Sequence, residues 1–119
     1  MSMHERRREP RVETDLNGFV VGQGAAGNVV CRVANLSRSG ALAVSSRPLP
    51  EMTQVQIEIP VEHGSEAEDA AFRCVAAVVR CDRRADGRYD VGLFFTSMTP
   101  ADRAVLEELL RAKPIVPAS

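Results

Sequence analysis

The chain is poor in several things, and each scarcity closes a route. It has no tryptophan, one tyrosine and four phenylalanines, so platforms for stacking a run of nucleic-acid bases are few. Apolar runs are only a few residues long, far short of the ~20 needed for a membrane-spanning helix. The opening MSMHERRREPR lacks the apolar segment of a secretory signal, so a cytoplasmic location is expected, with no membrane partner. Three cysteines, Cys31, Cys74 and Cys81, form no C-x-x-C pair. Neither His4 nor His63 stands at metal-ligand spacing from them. They read as small hydrophobes of the core, and no metal site is expected. Neither histidine belongs to an evident catalytic constellation, which makes an enzyme the least favoured class. Lysine is nearly missing too: Lys113 is the only one among 15 basic residues. The rest are arginines, whose planar fork suits phosphates and guanine edges.

What is present describes one globular domain. The chain has 119 residues, 45% hydrophobic and 26% charged, within the usual domain range of roughly 100–150 residues. Its net charge of −1 hides a segregated layout. Residues 1–11 carry four arginines and two glutamates, net +2, and residues 73–88 carry five arginines and two aspartates, net +3. Residues 51–69 carry six acids and no Lys or Arg, net −6. The basic regions suit a small anion, whereas the near-neutral total disfavours general binding to nucleic acid.

Period-two patterning dominates residues 12–95. Val55, Ile57 and Ile59 alternate with Gln54, Gln56 and Glu58, as on a half-buried strand. Tyr89, Val91, Leu93 and Phe95 alternate likewise, and residues 72–81 (FRCVAAVVRC) form a long β-branched run. The Asp86-Gly87 turn joins these last two as a hairpin. Short strands at 19–21, 29–33 and 40–44 bring the count to about six, the spacing of an antiparallel barrel or sandwich. At the C-terminus, Thr99 reads as an N-cap, Pro100 as the first helical residue, and Asp102 as an acid in the first turn. Val105, Leu106, Leu109 and Leu110 recur at helical spacing, and Pro114 ends the helix. The fold class expected is all-β with one C-terminal helix. Residues 1–11 form a flexible arm, 12–112 the β-domain and helix, and 113–119 a tail.

Three motifs remain to be weighed. Gly22, Gly24 and Gly27 match the dinucleotide-binding G-x-G-x-x-G, but a β-branched run follows where that mechanism needs a helix. These glycines therefore read as a hairpin loop. The arm Arg6-Arg7-Arg8-Glu9-Pro10-Arg11 offers several forks, and a bend would let Arg7 and Arg11 converge on one ligand. Asn35-Leu36-Ser37-Arg38-Ser39-Gly40 reads as a β-turn and also as a polar cradle, with an amide, a hydroxyl and a glycine for close approach. Turning Asn35 and Ser37 outward by strict alternation would turn Cys31 and Val33 outward too. A bulge before Asn35, or cover from the helix, would remove the conflict.

R-x-x-x-R (Arg7, Arg11) followed by N-x-S-x-x-G (Asn35, Ser37, Gly40), on a six-strand pattern with a late YDVGLFF strand and a C-terminal helix, resembles the PilZ domain family. The resemblance covers residues 6–112. It implies a six-stranded antiparallel PilZ-type β-barrel that binds cyclic di-GMP, with no other cofactor. On that reading Arg7 and Arg11 grip phosphates and guanine edges, Asn35 and Ser37 bond a guanine, and Gly40 allows close approach. Arg6 resembles members that hold two intercalated ligand molecules, and Arg8 and Arg38 lie beside the two halves of the site. The implied mechanism is a ligand-ordered arm that presents a new surface to a downstream effector protein or to a second copy in a ligand-dependent homodimer. The contrasting expectation is a PilZ-like adaptor that binds no ligand and serves in pilus or motility assemblies.

Overall fold

The structure is a computed structural model that describes residues 11–21, 28–60 and 71–111. Six strands and one helix follow in order: β1 (Val12–Val21), β2 (Asn28–Leu36), β3 (Gly40–Ser45), β4 (Gln54–Pro60), β5 (Ala71–Arg83), β6 (Tyr89–Ser97) and α1 (Pro100–Arg111). The strands close into a barrel in the order β1-β2-β3-β6-β5-β4, every pairing antiparallel. Of the two architectures that the strand spacing allows, the closed barrel is the observed one, and closure leaves no sheet edge unpaired.

Alternation builds the core. Val55, Ile57 and Ile59 of β4, Phe72, Cys74, Ala76 and Val78 of β5, and Val91, Leu93 and Phe95 of β6 all point inward and are buried. Phe72 and Phe95 meet edge to face, with ring centroids 5.4 Å apart at 63°, the arrangement that the ring quadrupole favours. Strands run longer than the apolar runs alone indicated. β1 begins at Val12 rather than Phe19, because the polar residues at its start pair with the end of β2: Val12 lies opposite Leu36 and Glu13 opposite Asn35.

Helix α1 begins as its cap residues require. The Thr99 hydroxyl accepts from the Asp102 amide at 3.1 Å, and the Asp102 carboxylate accepts from the Thr99 amide at 3.4 Å and from its hydroxyl at 2.8 Å. This reciprocal box satisfies orphan amides of the first turn. Leu106 is fully buried, Val105, Leu109 and Leu110 pack partly against the core, and the helix lies on β5. The glycine loop at 22–27 and Pro114 lie outside the described residues, as do Arg6, Arg7 and Arg8 of the arm.

The β5–β6 hairpin explains most of the basic segment at 73–88. Asp82 and Asp90 stand directly opposite each other, a repulsive cross-strand pair, and each has its own arginine: Arg80 with Asp82 at 3.3 Å, Arg84 with Asp90 at 3.0 Å. Asp86 organises the turn, accepting from the Arg88 amide at 2.9 Å, the Arg88 guanidinium at 3.0 Å and the Arg84 guanidinium at 3.3 Å. These bonds, led by the Arg88 amide, hold its carboxyl down at about 2. The same partnership, led by Asp90, raises the Arg84 pKa. Gly87, at φ 90°, supplies the left-handed residue of the turn. Arg84 and Arg88 are thus committed to the hairpin.

Candidate functional site

A cleft of about 370 Å³ lies on the outer face of the barrel, across neighbouring strands β2, β3, β6 and β5, with Arg11 from the start of β1 at its border. The volume falls in the usual range for small-molecule sites, roughly 300–1,000 Å³. Arg11, Asn35, Ser37 and Gly40 all line it. Residues 24 or more apart in the chain meet there because β1 and β2 are paired neighbours: the ladder that ends at Val12 and Leu36 brings Arg11 beside the turn that begins at Ser37.

The alternation conflict at Asn35 is resolved by a bulge. In the β2–β3 ladder Val33 pairs with Ala43 but Asn35 pairs with Leu42, leaving Ala34 as the extra residue. Parity therefore switches at Ala34: Cys31, Val33 and Leu36 are all buried, while Asn35 faces the cleft. On the β1 side the register also shifts, between Glu13 and Leu16, and the Thr14 hydroxyl donates to the Val33 carbonyl at 2.7 Å. Bulges beside binding sites commonly re-aim one side chain in this way.

Ser37 and Gly40 also hold the turn together. Ser37 is 7% exposed rather than outward-facing. Its hydroxyl accepts from the Ser39 and Gly40 amides and lies 3.3 Å from the Gly40 carbonyl, and its own amide donates to that carbonyl at 2.9 Å. Ser37 braces the turn while lining the cleft. Gly40 is required by a neighbouring strand: a Cβ there would sit 2.3 Å from the Leu93 carbonyl oxygen on β6. The Ser39 carbonyl accepts from the Phe95 amide at 2.8 Å, fastening the same turn to β6. Arg38 does not line the cleft. Its guanidinium meets the Glu107 carboxylate of α1 at 3.1 and 3.3 Å, tying the turn to the helix.

The lining also takes in residues outside the two motifs, among them Arg80, Gly92 and Phe94. By sequence Arg80, Arg83, Arg84 and Arg88 read as solvated hairpin charges whose face could also extend the site; of the four, the barrel register brings Arg80 to the cleft. Among the described residues no carboxylate is paired with Arg11, and no group of three His, Cys, Asp or Glu is placed to hold a metal ion. Burial pushes the Cys31 and Cys74 thiols up to about 11, so they are inert core groups, while Cys81 is half-buried. Among the described residues no helix is long and apolar enough to cross a membrane.

Known structures share this barrel. The chain is similar to the PilZ domain of YcgR from Escherichia coli, solved with cyclic di-GMP, at 16% identity and TM-score 0.71, covering 90% of both chains. It is similar to the inhibitor of motility MotI/DgrA of Bacillus subtilis, at 16% identity and TM-score 0.70, covering 89% of this chain and 49% of that one. It is also similar to MrkH of K. pneumonia in complex with cyclic di-GMP, at 18% identity and TM-score 0.64, covering 89% of this chain and 51% of that one. The chain thus spans about half the length of the latter two. No curated protein sequence matches it. The family model described as the PilZ domain matches residues 5–112, a span that takes in both arginines of R-x-x-x-R, the bulged N-x-S-x-x-G turn, the closed barrel and α1. The chain belongs to the PilZ domain family.

Proposed function

We propose that this chain is a non-catalytic cytoplasmic receptor for cyclic di-GMP. The observation that carries the reading is convergence: Arg11 from one half of the motif and Asn35, Ser37 and Gly40 from the other line one cleft of nucleotide size. A guanidinium fork binds phosphate or guanine O6 and N7 bidentately, and the Asn35 amide both donates and accepts. The cleft thus offers cation, amide and hydroxyl within one small volume. Arg7 completes the grip from the arm, Arg8 adds a further cation, and Arg6 stacks on a second ligand molecule where two bind. Arm ordering around the dianionic ligand changes the surface seen by a downstream effector protein, or by a second copy. Ordering costs chain entropy that charge-assisted contacts must exceed, so affinity falls with added salt.

Calorimetric titration of cyclic di-GMP tests this. Wild type binds, while Arg7→Ala, Arg11→Ala and Asn35→Ala each weaken binding at least ~10-fold, the scale of a lost charge-assisted contact. No heat with folded wild type overturns the receptor reading in favour of a ligand-independent adaptor. Equal affinity among the variants overturns the site.

A further inference from the structure

The cleft has two chemically different ends. Arg11, Asn35 and Ser37 form a polar end. At the other, Val79, Phe94 and Leu42 form an apolar floor beside Gly92, with Arg80 the cation among them. Val79 and Phe94 are about half exposed and both line the cleft, so apolar surface is left open to a ligand there.

Arg80 reaches this wall by the same device that presents Asn35. In β5 the inward residues are Phe72, Cys74, Ala76 and Val78, and strict alternation would send Arg80 into the core. In the β5–β6 ladder Val78 pairs with Leu93 but Arg80 pairs with Gly92, so Val79 is an extra residue and parity switches. Val79 and Arg80 both face outward, and Cys81 packs partly against the core instead. Two bulges on separate strands therefore each turn one polar side chain out into one cleft. Opposite Arg80, Gly92 leaves a notch. A Cβ there would lie 3.5 Å from the Arg80 Cβ and from a Val79 methyl, ordinary contact, so the barrel tolerates a side chain at 92 that the notch lacks. Asp82 meets the Arg80 Nε at 3.3 Å with both side chains more than half exposed, a weak pair that ligand can displace.

We propose that the notch over Gly92 holds a purine base of the ligand, with Arg80 as its recognition residue. A planar base suits the apolar floor, where a phosphate would lose hydration without compensation. The guanidinium plane stacks on a base or forks to its O6/N7 edge, which a lysine ammonium cannot do. This assignment rests on the receptor reading and adds to it a base-binding subsite outside both sequence motifs.

The test titrates cyclic di-GMP into wild type, Arg80→Ala, Arg80→Lys and Gly92→Val, each checked for folding by its thermal melt. Arg80→Ala weakens binding about 10-fold, and Arg80→Lys recovers little of the loss, because charge without the planar fork does not serve. Gly92→Val fills the notch and weakens binding about 10-fold or more while the melt stays near wild type. Recovery of full affinity by Arg80→Lys overturns base recognition in favour of a simple charge. Wild-type affinity in both Arg80→Ala and Gly92→Val overturns the subsite while the receptor reading stands. A folded wild type that fails to bind overturns the receptor reading itself, and the subsite with it.

Discussion

At the scale of single residues, Gly40 shows how a motif position can be held by the fold as much as by a ligand. Its hydrogen faces the Leu93 carbonyl oxygen at a spacing that admits no methyl group. Alanine there must push β3 away from β6, and overpacking of this kind costs about 2–3 kcal/mol. Gly40→Ala should therefore lower the urea midpoint even without ligand, and an unchanged midpoint would disprove the close approach. The buried thiols give a second residue-level test. Cys31 and Cys74, pushed up to about 11 by burial, with Asp102 adding to the shift at Cys74, stay protonated at neutral pH. A disulfide reagent at pH 8 should label Cys81 first and reach the other two only as the barrel unfolds. Their raised values also carry a sign: the stability they support is whole below pH 9 and fades as the pH climbs through about 11.

At the scale of elements, the β5–β6 hairpin and α1 make separate predictions. Asp86 sits at about 2 against an ordinary 3.8, so its contribution to turn order is present above pH 3.8 and is lost as the pH falls through about 2. The amide resonance of Arg88, bonded to that carboxylate, should titrate with a midpoint near 2. Asp86→Asn should abolish that titration; a midpoint near 4 would mean the turn bonds do not form in solution. For α1, Leu106 is the fully buried anchor, and truncation to alanine should destabilise the domain by about 2–5 kcal/mol in urea unfolding. A loss under 1 kcal/mol would show that the helix is not docked as described. The helix start was legible beforehand, since Thr99, Pro100 and Asp102 act locally. The partnership of Arg38 with Glu107, 69 residues away in the chain, was not, because no local pattern records which element a turn will face.

At the scale of the whole molecule, closure of the barrel is what makes a site. The hairpins β2–β3 and β5–β6 are separated in the chain by β4 but joined in the sheet through β3 and β6, and together with Arg11 they collect residues from 11 to 94 around one cleft. The charge layout takes on meaning at this level. Arg84 and Arg88 are neutralised within the hairpin and Arg38 and Arg73 pair with Glu107 and Glu58, whereas Arg11 and Arg80, the latter in an exposed pair with Asp82, border the cleft. A protein of net charge −1 thus gathers two arginines at one cleft, a layout that suits the proposed small anionic ligand better than a polyanion.

The sequence by itself determined the inward parity of β4 and β6 and where the helix starts, and it marked two motifs whose described residues line one cleft. These depend on period, capping and spacing, all of which act within a few residues. Tertiary structure alone decided the two bulges, and with them the outward turn of Asn35 and Arg80. A bulge is a mismatch of register between two strands, and register is set by the partner strand and by closure of the barrel, not by the strand's own residues. For the same reason the polar and apolar ends of the cleft became visible only once β5 and β6 lay beside β3.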